Sequence, residues 1–369
     1  MQKVVGVVLA AGFGSRLKPA TNFKPKPLIP VAGVEPLFFA ISNFEKAGIR
    51  RIVVNTHYLP EQVTQAVQRW KELFGGIEIR CIVEGPEILG TGGALINIVK
   101  SFPDWFHDSA MLVQNGDTLA GIDLLKLLKI RNDESSFAVS FFEPHIKRYN
   151  PLWVGISGRW SGIGKTAPKS GDRPAHFLGV HLLSRPAVKE MGAECFESKP
   201  ADLFNAIYRP LTERNHVIQS VDCFSNNLEQ KLEKAFWFDM TTSEYLLEAQ
   251  RYMLSADALR MWSQILQQRY PNIKEVKAGF WALGAIPKNF EDRVRSPVVF
   301  INADNVGLTE QAFDFSSLGP DATIVIEEFA GDKSFLLPNQ CCNSVVMVSS
   351  NPGLVIEDPA KVENTVLIV

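Results

Sequence analysis

The residues Val4-Val5-Gly6-Val7-Val8-Leu9-Ala10 form an unbroken apolar run that stops at Ala11-Gly12-Phe13-Gly14-Ser15-Arg16. A short β-branched run without alternation is the mark of a strand buried on both faces. A glycine-rich turn directly after such a strand lets backbone N–H groups approach an anion without side-chain obstruction. Together the two features restrict the first half of the chain to an α/β fold with a ligand-binding edge. The same run is too short for the core of a signal peptide, and no run in the chain is long enough for a transmembrane helix.

Strand and helix patterns alternate from there. Leu37, Ala40, Ile41 and Phe44 recur at helical spacing, with Gly48 as a stop. Arg51–Asn55 reads as a strand, Val63, Ala66, Val67 and Trp70 as a helix, and Ile77–Val83 as a strand. A helix opens near Gly92, and Met111–Gln114 is a fourth strand running into Asn115-Gly116-Asp117. This alternation predicts a mostly parallel sheet covered by helices on both faces. Ligands bind such sheets at the carboxyl ends of the strands, so Ala11–Arg16, Glu84–Gly93 and Asn115–Asp117 are expected on one rim.

Beyond this, short strands at Phe137–Phe142, Phe177–Leu183 and Val217–Cys223 interrupt a loop near Gly162–Pro174. Helical pattern returns at Thr242–Met253 and Ala256–Arg269, and Tyr270–Arg295 reads as a linker. In the tail, Phe300, Val306, Ala312, Leu318, Ile324 and Ala330 fall six residues apart, and Ile356, Val362 and Ile368 resume the step. A six-residue period predicts a left-handed parallel β-helix, with one apolar residue per flat side pointing inward. The expected organisation is a main α/β domain over residues 1–254, a helical connector and linker over 255–295, and a β-helix-like domain over 296–369.

With 38 basic and 40 acidic side chains, the net charge of −2 gives no electrostatic case for binding nucleic acid or a membrane surface. Five scattered cysteines without CxxC spacing exclude a disulfide scaffold and a cysteine zinc site, and a reducing cytoplasm is the expected compartment. The six histidines show no metal spacing and read as surface or core residues.

Two phosphate loops are excluded at Gly12. The dinucleotide fingerprint needs a third glycine where Leu17 stands, and Walker A needs a GK[ST] ending that is absent. Gly164-Lys165-Thr166 ends like Walker A, but Arg159 stands where its first glycine belongs, so Lys165 is only a weak phosphate candidate. The segment Gly12-Phe13-Gly14-Ser15-Arg16-Leu17-Lys18-Pro19, continued by Thr21, Pro25-Lys26-Pro27-Leu28-Ile29-Pro30-Val31 and Gly33, resembles the signature of the sugar-1-phosphate nucleotidylyltransferases, also called NDP-sugar pyrophosphorylases. The resemblance covers roughly the first 250 residues and fades between Pro144 and Ala175. Within it, Glu84 and Leu89-Gly90-Thr91-Gly92-Gly93 look like the family's base- and sugar-contacting loop. Asn115-Gly116-Asp117 and Trp237-Phe238-Asp239-Met240-Thr241-Thr242 look like its two magnesium-ligand segments, with Thr241 where glycine is usual. Phe177-Leu178-Gly179-Val180 resembles the sugar-pocket strand, and the Glu-Lys-Pro element that usually precedes it is not recognisable.

The resemblance implies a Rossmann-like catalytic domain that transfers a nucleoside monophosphate from an NTP to a sugar 1-phosphate. It implies catalytic roles for Arg16 and Lys26, and nucleotide contacts from Ala11, Gly12, Gly14, Glu84, Gly90, Thr91, Gly92, Gly93 and Asn115. Lys26 and Gly179 would meet the sugar phosphate, and Asp117 and Asp239 would hold Mg²⁺. Gly12, Gly14 and Gly93 are expected to give close backbone approach. Relatives with a C-terminal β-helix favour mannose 1-phosphate and GTP; a UTP-dependent enzyme for N-acetylmuramate 1-phosphate or glucose 1-phosphate is the alternative. A non-catalytic NDP-sugar-binding regulatory subunit is the alternative of another class. The tail holds no histidine to serve as a base of its own, so it is expected to mediate homo-oligomer assembly or regulation.

Overall fold

The computed structural model describes residues 3–18, 20–22, 24–141, 149–222, 236–254, 256–277 and 280–283, and four short strands between 298 and 368. Among these residues no helix is long and apolar enough to cross a membrane. The chain divides into two compact units. One comprises Met1–Phe13, Pro25–Leu28 and Leu37–Trp237; the other comprises Gly14–Lys24, Ile29–Pro36 and Phe238–Val369.

The first unit runs β1 (Lys3–Leu9), α1 (Pro36–Lys46), β2 (Arg51–Thr56), α2 (Pro60–Trp70), β3 (Glu78–Val83), α3 (Gly90–Ser101), α4 (Pro103–Phe106) and β4 (Ser109–Asn115). It continues with β5 (Thr118–Ala120), α5 (Leu124–Ile130), β6 (Ser135–Phe141), β7 (Leu152–Val154), β8 (Trp160–Ile163), β9 (Arg173–Leu183), α6 (Arg185–Met191), α7 (Arg209–Glu213) and β10 (Val217–Asp222). The sheet has the order β10-β6-β9-β4-β1-β2-β3, with β7 and β8 attached beside β9. β1, β2, β3 and β4 are mutually parallel where they pair, as the alternation predicts. β9 breaks the rule and runs antiparallel to both β4 and β6. It is entered from the β7–β8 hairpin, and a hairpin reverses direction where a helical crossover would have kept it. That hairpin also replaces the start of the expected loop near Gly162–Pro174, with β8 paired to β7.

β1 explains why its sequence does not alternate. Val5 and Val7 pack into a core with Leu95 and Ile98 of α3 and Ala187 and Met191 of α6. On the opposite face, a Cβ added at Gly6 would press on Phe44 of α1. A strand covered on both sides has no solvent face for polar residues.

In the second unit, Gly14 takes the left-handed conformation before the 3₁₀ turn Ser15–Leu17, and Thr21 Oγ1 donates to its carbonyl at 3.0 Å. Val31 and Val34 exchange N–H···O bonds of 2.9 and 3.1 Å around Ala32 and Gly33, both at positive φ. This tight hairpin is held by α8 (Ser243–Leu254) and α9 (Ala256–Arg269), which follow the three-residue strand β11 (Trp237–Asp239). The Gln250 amide accepts from Ala32 N at 2.5 Å and donates to Pro30 O at 3.0 Å. Arg269 makes a two-pronged bond to Glu35, 2.9 and 2.8 Å, and Tyr270 Oη donates to Gly33 O at 2.9 Å. Burial works against ionisation of Glu35, but the Arg269 charge and its hydrogen bonds outweigh it and hold the carboxyl below its ordinary range.

The stretch Tyr270–Arg295, expected as a linker, carries β12 (Lys274–Lys277) and β13 (Phe280–Leu283), with β12 antiparallel to β13. Only Val276 is apolar in β12, so it has no readable strand pattern. β14 (Val298–Ile301) runs parallel to β13, placing Phe280 opposite Val298. β15 (Thr323–Ile326), β16 (Val345–Val348) and β17 (Val366–Ile368) form a second parallel sheet. Of the hexad positions, Phe300, Ile324 and Ile368 lie in these strands. Val306, Ala312, Leu318, Ala330, Ile356 and Val362 lie outside the described residues.

Candidate functional site

The carboxyl ends of β1, β2, β3 and β4 open onto a cleft of about 180 Å³ within the first unit. Its walls come from Leu9–Gly12 after β1, Asn55 in β2, Glu84 and Ile88 after β3, Gly90 and Thr91 opening α3, and Asn115 and Asp117 around the end of β4. Lys26 and Pro27 close another side. The expected common rim therefore forms from Ala11, Gly12, Glu84, Gly90, Thr91, Asn115 and Asp117, with Lys26 beside them.

Lys26 sits in a 3₁₀ turn between two prolines, closed by Leu28 N–H donating to Pro25 O at 2.8 Å. The residue is 5% exposed, and its Nζ meets Asp117 Oδ2 at 2.8 Å. Asp117 is aimed by a turn that leaves β4: Gly116 N–H donates to Leu9 O at 2.8 Å, and a Cβ at 116 would press on Val8 and that carbonyl. Its side chain keeps 35% of its surface open. A cation with little water around it thus faces a carboxylate that still reaches solvent.

Gly12 lines the cleft, and a Cβ added there would meet nothing within 4 Å. Gly90, Gly92 and Gly93 are different. A Cβ at each would press on the backbone carbonyls of Ala201, Asp202 and Lys199 respectively. The N–H groups of Gly92 and Gly93 point at Ala201 O, 2.9 and 3.4 Å away. Before any phosphate enters, the Gly93 N–H, expected to face one, and its neighbour serve the 199–202 segment. Thr91 Oγ1 also accepts from Leu203 N at 2.9 Å, so the start of α3 doubles as the seat of the following loop.

Asn115 and Gly179 belong together, because a Cβ at Gly179, whose φ is +72°, would collide with the Asn115 side chain. Gly179 itself does not line the cleft. Gly14, Arg16 and Asp239 fall in the second unit. Arg16 is exposed, and Asp239 ends β11 half-buried. Lys165 is exposed beyond β8 and does not line the cleft. Among the histidines, His181 is buried beside Phe177 and Tyr208, and desolvation pushes its pKa down to about 3, so it is a neutral core residue.

Reading the sequence for motifs missed Asn55. It is 2% exposed, accepts from Ala10 N at 2.8 Å and donates to Glu84 Oε1 at 2.6 Å. Glu84 Oε2 in turn accepts from Leu89 N at 2.7 Å. The signal was present: a polar residue in the last two positions of a buried parallel strand, as Asn115 is in β4, stands where these sheets bind ligands. Among the described residues no group of three or more His, Cys, Asp or Glu forms a preformed metal cage. Asp117 still suits magnesium, which takes one or two carboxylates and fills its other positions with water and phosphate oxygens.

Residues 5–149, which carry most of these walls, match the family model described as nucleotidyl transferase. A mannose-1-phosphate guanylyltransferase of Mycobacterium tuberculosis is 37% identical over 126 residues, 34% of this chain and 33% of that protein. The chain thus spans about a third of that relative's length. A D-glycero-alpha-D-manno-heptose 1-phosphate guanylyltransferase of Campylobacter jejuni is 35% identical over 170 residues, 41% of this chain and 73% of that protein. In fold the chain resembles HddC of Yersinia pseudotuberculosis, solved with GMP-PN, with a TM-score of 0.52, 22% identity, and coverage of 69% of this chain and 100% of that one. The family model over residues 5–149 and a relative 35% identical and covered over 73% of its length lead to one conclusion: the chain belongs to the nucleotidyl transferase family.

Proposed function

We propose that this chain transfers a nucleoside monophosphate from a nucleoside triphosphate to a sugar 1-phosphate. A phosphate oxygen of the sugar forms a bond to the α-phosphorus, the bond from that phosphorus to the β-phosphate oxygen breaks, and pyrophosphate leaves. The nucleophile needs no general base, because a phosphate monoester's second pKa is about 6. What the reaction needs is alignment and charge neutralisation.

The observation that carries the reading is the Lys26–Asp117 pair at the cleft. An entering phosphate competes with the carboxylate for the ammonium, and the displaced carboxylate is then available to a hard cation. Magnesium, when bound, would supply further neutralisation of the polyphosphate. Gly12 leaves room for phosphate oxygens beside the backbone. The family resemblance implies a planar charged fork from Arg16 for the leaving phosphates and a carboxylate from Asp239.

Two guanylyltransferases of manno-configured sugar 1-phosphates among the relatives favour GTP and mannose 1-phosphate or a close analogue as substrates. The test is pyrophosphate release with magnesium, over four nucleoside triphosphates against mannose, glucose, N-acetylglucosamine and N-acetylmuramate 1-phosphates. Turnover confined to GTP and manno-configured sugars supports this choice, and turnover with UTP redirects it. No turnover in any cell, with NDP-sugar still bound, points to a regulatory subunit instead.

The tail fits a β-helix-like assembly module. Phe280 and Val298, paired across β13 and β14, stand eighteen residues apart, one coil of three hexads. The β15–β16 and β16–β17 registers are longer, pairing Val345 with Thr323 and with Val366, which leaves room for short insertions at coil corners.

A further inference from the structure

We infer that Asn55 is a positioning residue that fixes the spacing of the two loops between which the nucleotide enters. This rests on the nucleotidyl-transfer reading above.

Leu9, Asn55 and Ile82 lie side by side in register on β1, β2 and β3, at the end where all three strands turn into loops. One loop carries Gly12; the other runs from Glu84 to Leu89 and leads into α3. Both line the cleft. Between them stands a single chain of hydrogen bonds: Ala10 N–H to the Asn55 carbonyl, Asn55 NH₂ to one Glu84 oxygen, and Leu89 N–H to the other. The ends of the chain are backbone amides, which only donate, and its middle is a carboxylate, which accepts. Only a group with one acceptor and one donor in a fixed plane can join Ala10 to Glu84, and the asparagine amide is such a group. Both neighbours fix its orientation, so no flipped form satisfies them.

Serine or threonine lacks the reach for both partners, and glutamine is a methylene too long for the same seat. Aspartate matches the shape and reverses one bond, setting carboxylate against carboxylate. The reversal can be undone from the other side. Asn55→Asp combined with Glu84→Gln keeps the total charge and the shape: the new carboxylate accepts from Ala10, and the new amide donates to it and accepts from Leu89. The double variant therefore carries the same number of hydrogen bonds in the same places, with the charge moved one residue along the chain.

The experiment follows amide hydrogen exchange across residues 9–12 and 84–91 in the nucleotide-free protein, and GTP binding by calorimetry, in the parent, both single variants and the double. Melting temperatures confirm that each variant is folded. Asn55→Asp is expected to speed exchange in both loops and weaken GTP binding by about tenfold to a hundredfold, the usual scale for a lost hydrogen bond to a charged group. That weakening should shrink as pH falls and a proton settles between the two carboxylates. The double variant is expected to recover the parent's exchange pattern in both loops. Unchanged exchange and binding in Asn55→Asp overturn the inference, as does a double variant whose loops exchange no more slowly than those of the worse single one. A parent that binds no nucleoside triphosphate, with the exchange pattern as expected, overturns the proposed activity and leaves the loop spacer standing.

Discussion

Lys26 and Asp117 come from segments 91 residues apart and meet at 2.8 Å in the cleft. Removing either charge should therefore affect chemistry more than folding. Asp117→Asn keeps an oxygen for the ammonium, so its melting temperature should stay close to the parent's. Its turnover should fall by roughly a hundredfold, because developing charge loses a fixed counter-charge. Near-normal turnover in magnesium would remove Asp117 from the site. Lys26→Ala should raise the KM for sugar 1-phosphate about tenfold to a hundredfold, whereas Arg16→Ala should mainly lower kcat. Steady-state kinetics separate the two, and equal small effects on both parameters would refute the assigned roles. His181 makes a prediction of a different kind. Its pKa, about 3 when folded, lies below the ordinary 6.5, so the unfolded chain binds the extra proton. The stability that neutral His181 contributes is complete above pH 6.5 and is lost as pH falls toward 3, by up to about 1.4 kcal/mol per pH unit. Urea unfolding between pH 6.5 and 5, above most carboxylate titrations, should show a slope that His181→Phe flattens.

The α8–α9 pair is the element whose role departs furthest from its sequence. Its apolar spacing announces two helices, and they form at Ser243–Leu254 and Ala256–Arg269. Nothing local announces that Gln250, Arg269 and Tyr270 reach back to Pro30, Ala32, Gly33 and Glu35. Partners more than two hundred residues away leave no periodic trace, so α9 reads as a connector. Arg269→Met leaves Glu35 buried without its two-pronged partner and should cost about 3–5 kcal/mol in denaturant unfolding. A chain ended after Leu254 loses the same contacts and should unfold at a much lower temperature than one ended after Lys277. Equal melting temperatures for those two would mean that α9 is not part of the folded unit.

Across the whole molecule, legibility follows sequence distance. The β1-to-β4 segment and its rim were readable because strand, turn and helix lie within a few residues of one another. Gly12, Glu84, Asn115 and Asp117 could be placed by the rule that ligands sit at strand ends. The antiparallel β9, the Asn55 link and the packing of Gly92 and Gly93 against residues 199–202 were not readable, since each depends on a partner far along the chain. In the tail, Phe300, Ile324 and Ile368 fall within β14, β15 and β17, whereas β12 is too polar to show a period. Parallel strands stacked in this way end in unpaired edges that a second subunit can cover. Ending the chain after Lys277 is expected to lower the number of subunits per particle measured by light scattering, and an unchanged oligomer would refute the assembly role.

The hairpin at Val31–Val34 also has a history in time. Its partners Gln250, Arg269 and Tyr270 follow it by 218 to 237 positions. At a synthesis rate of about 5–20 residues per second, the ribosome makes them roughly 10–50 s later. For that interval the nascent chain carries the segment just after Lys26 with its left-handed Ala32 and its acidic Glu35 unsupported. A ribosome stalled near codon 250 should therefore hold a chain whose first strands are protected from protease while residues 29–36 are still cut. Release past residue 277 should close that window.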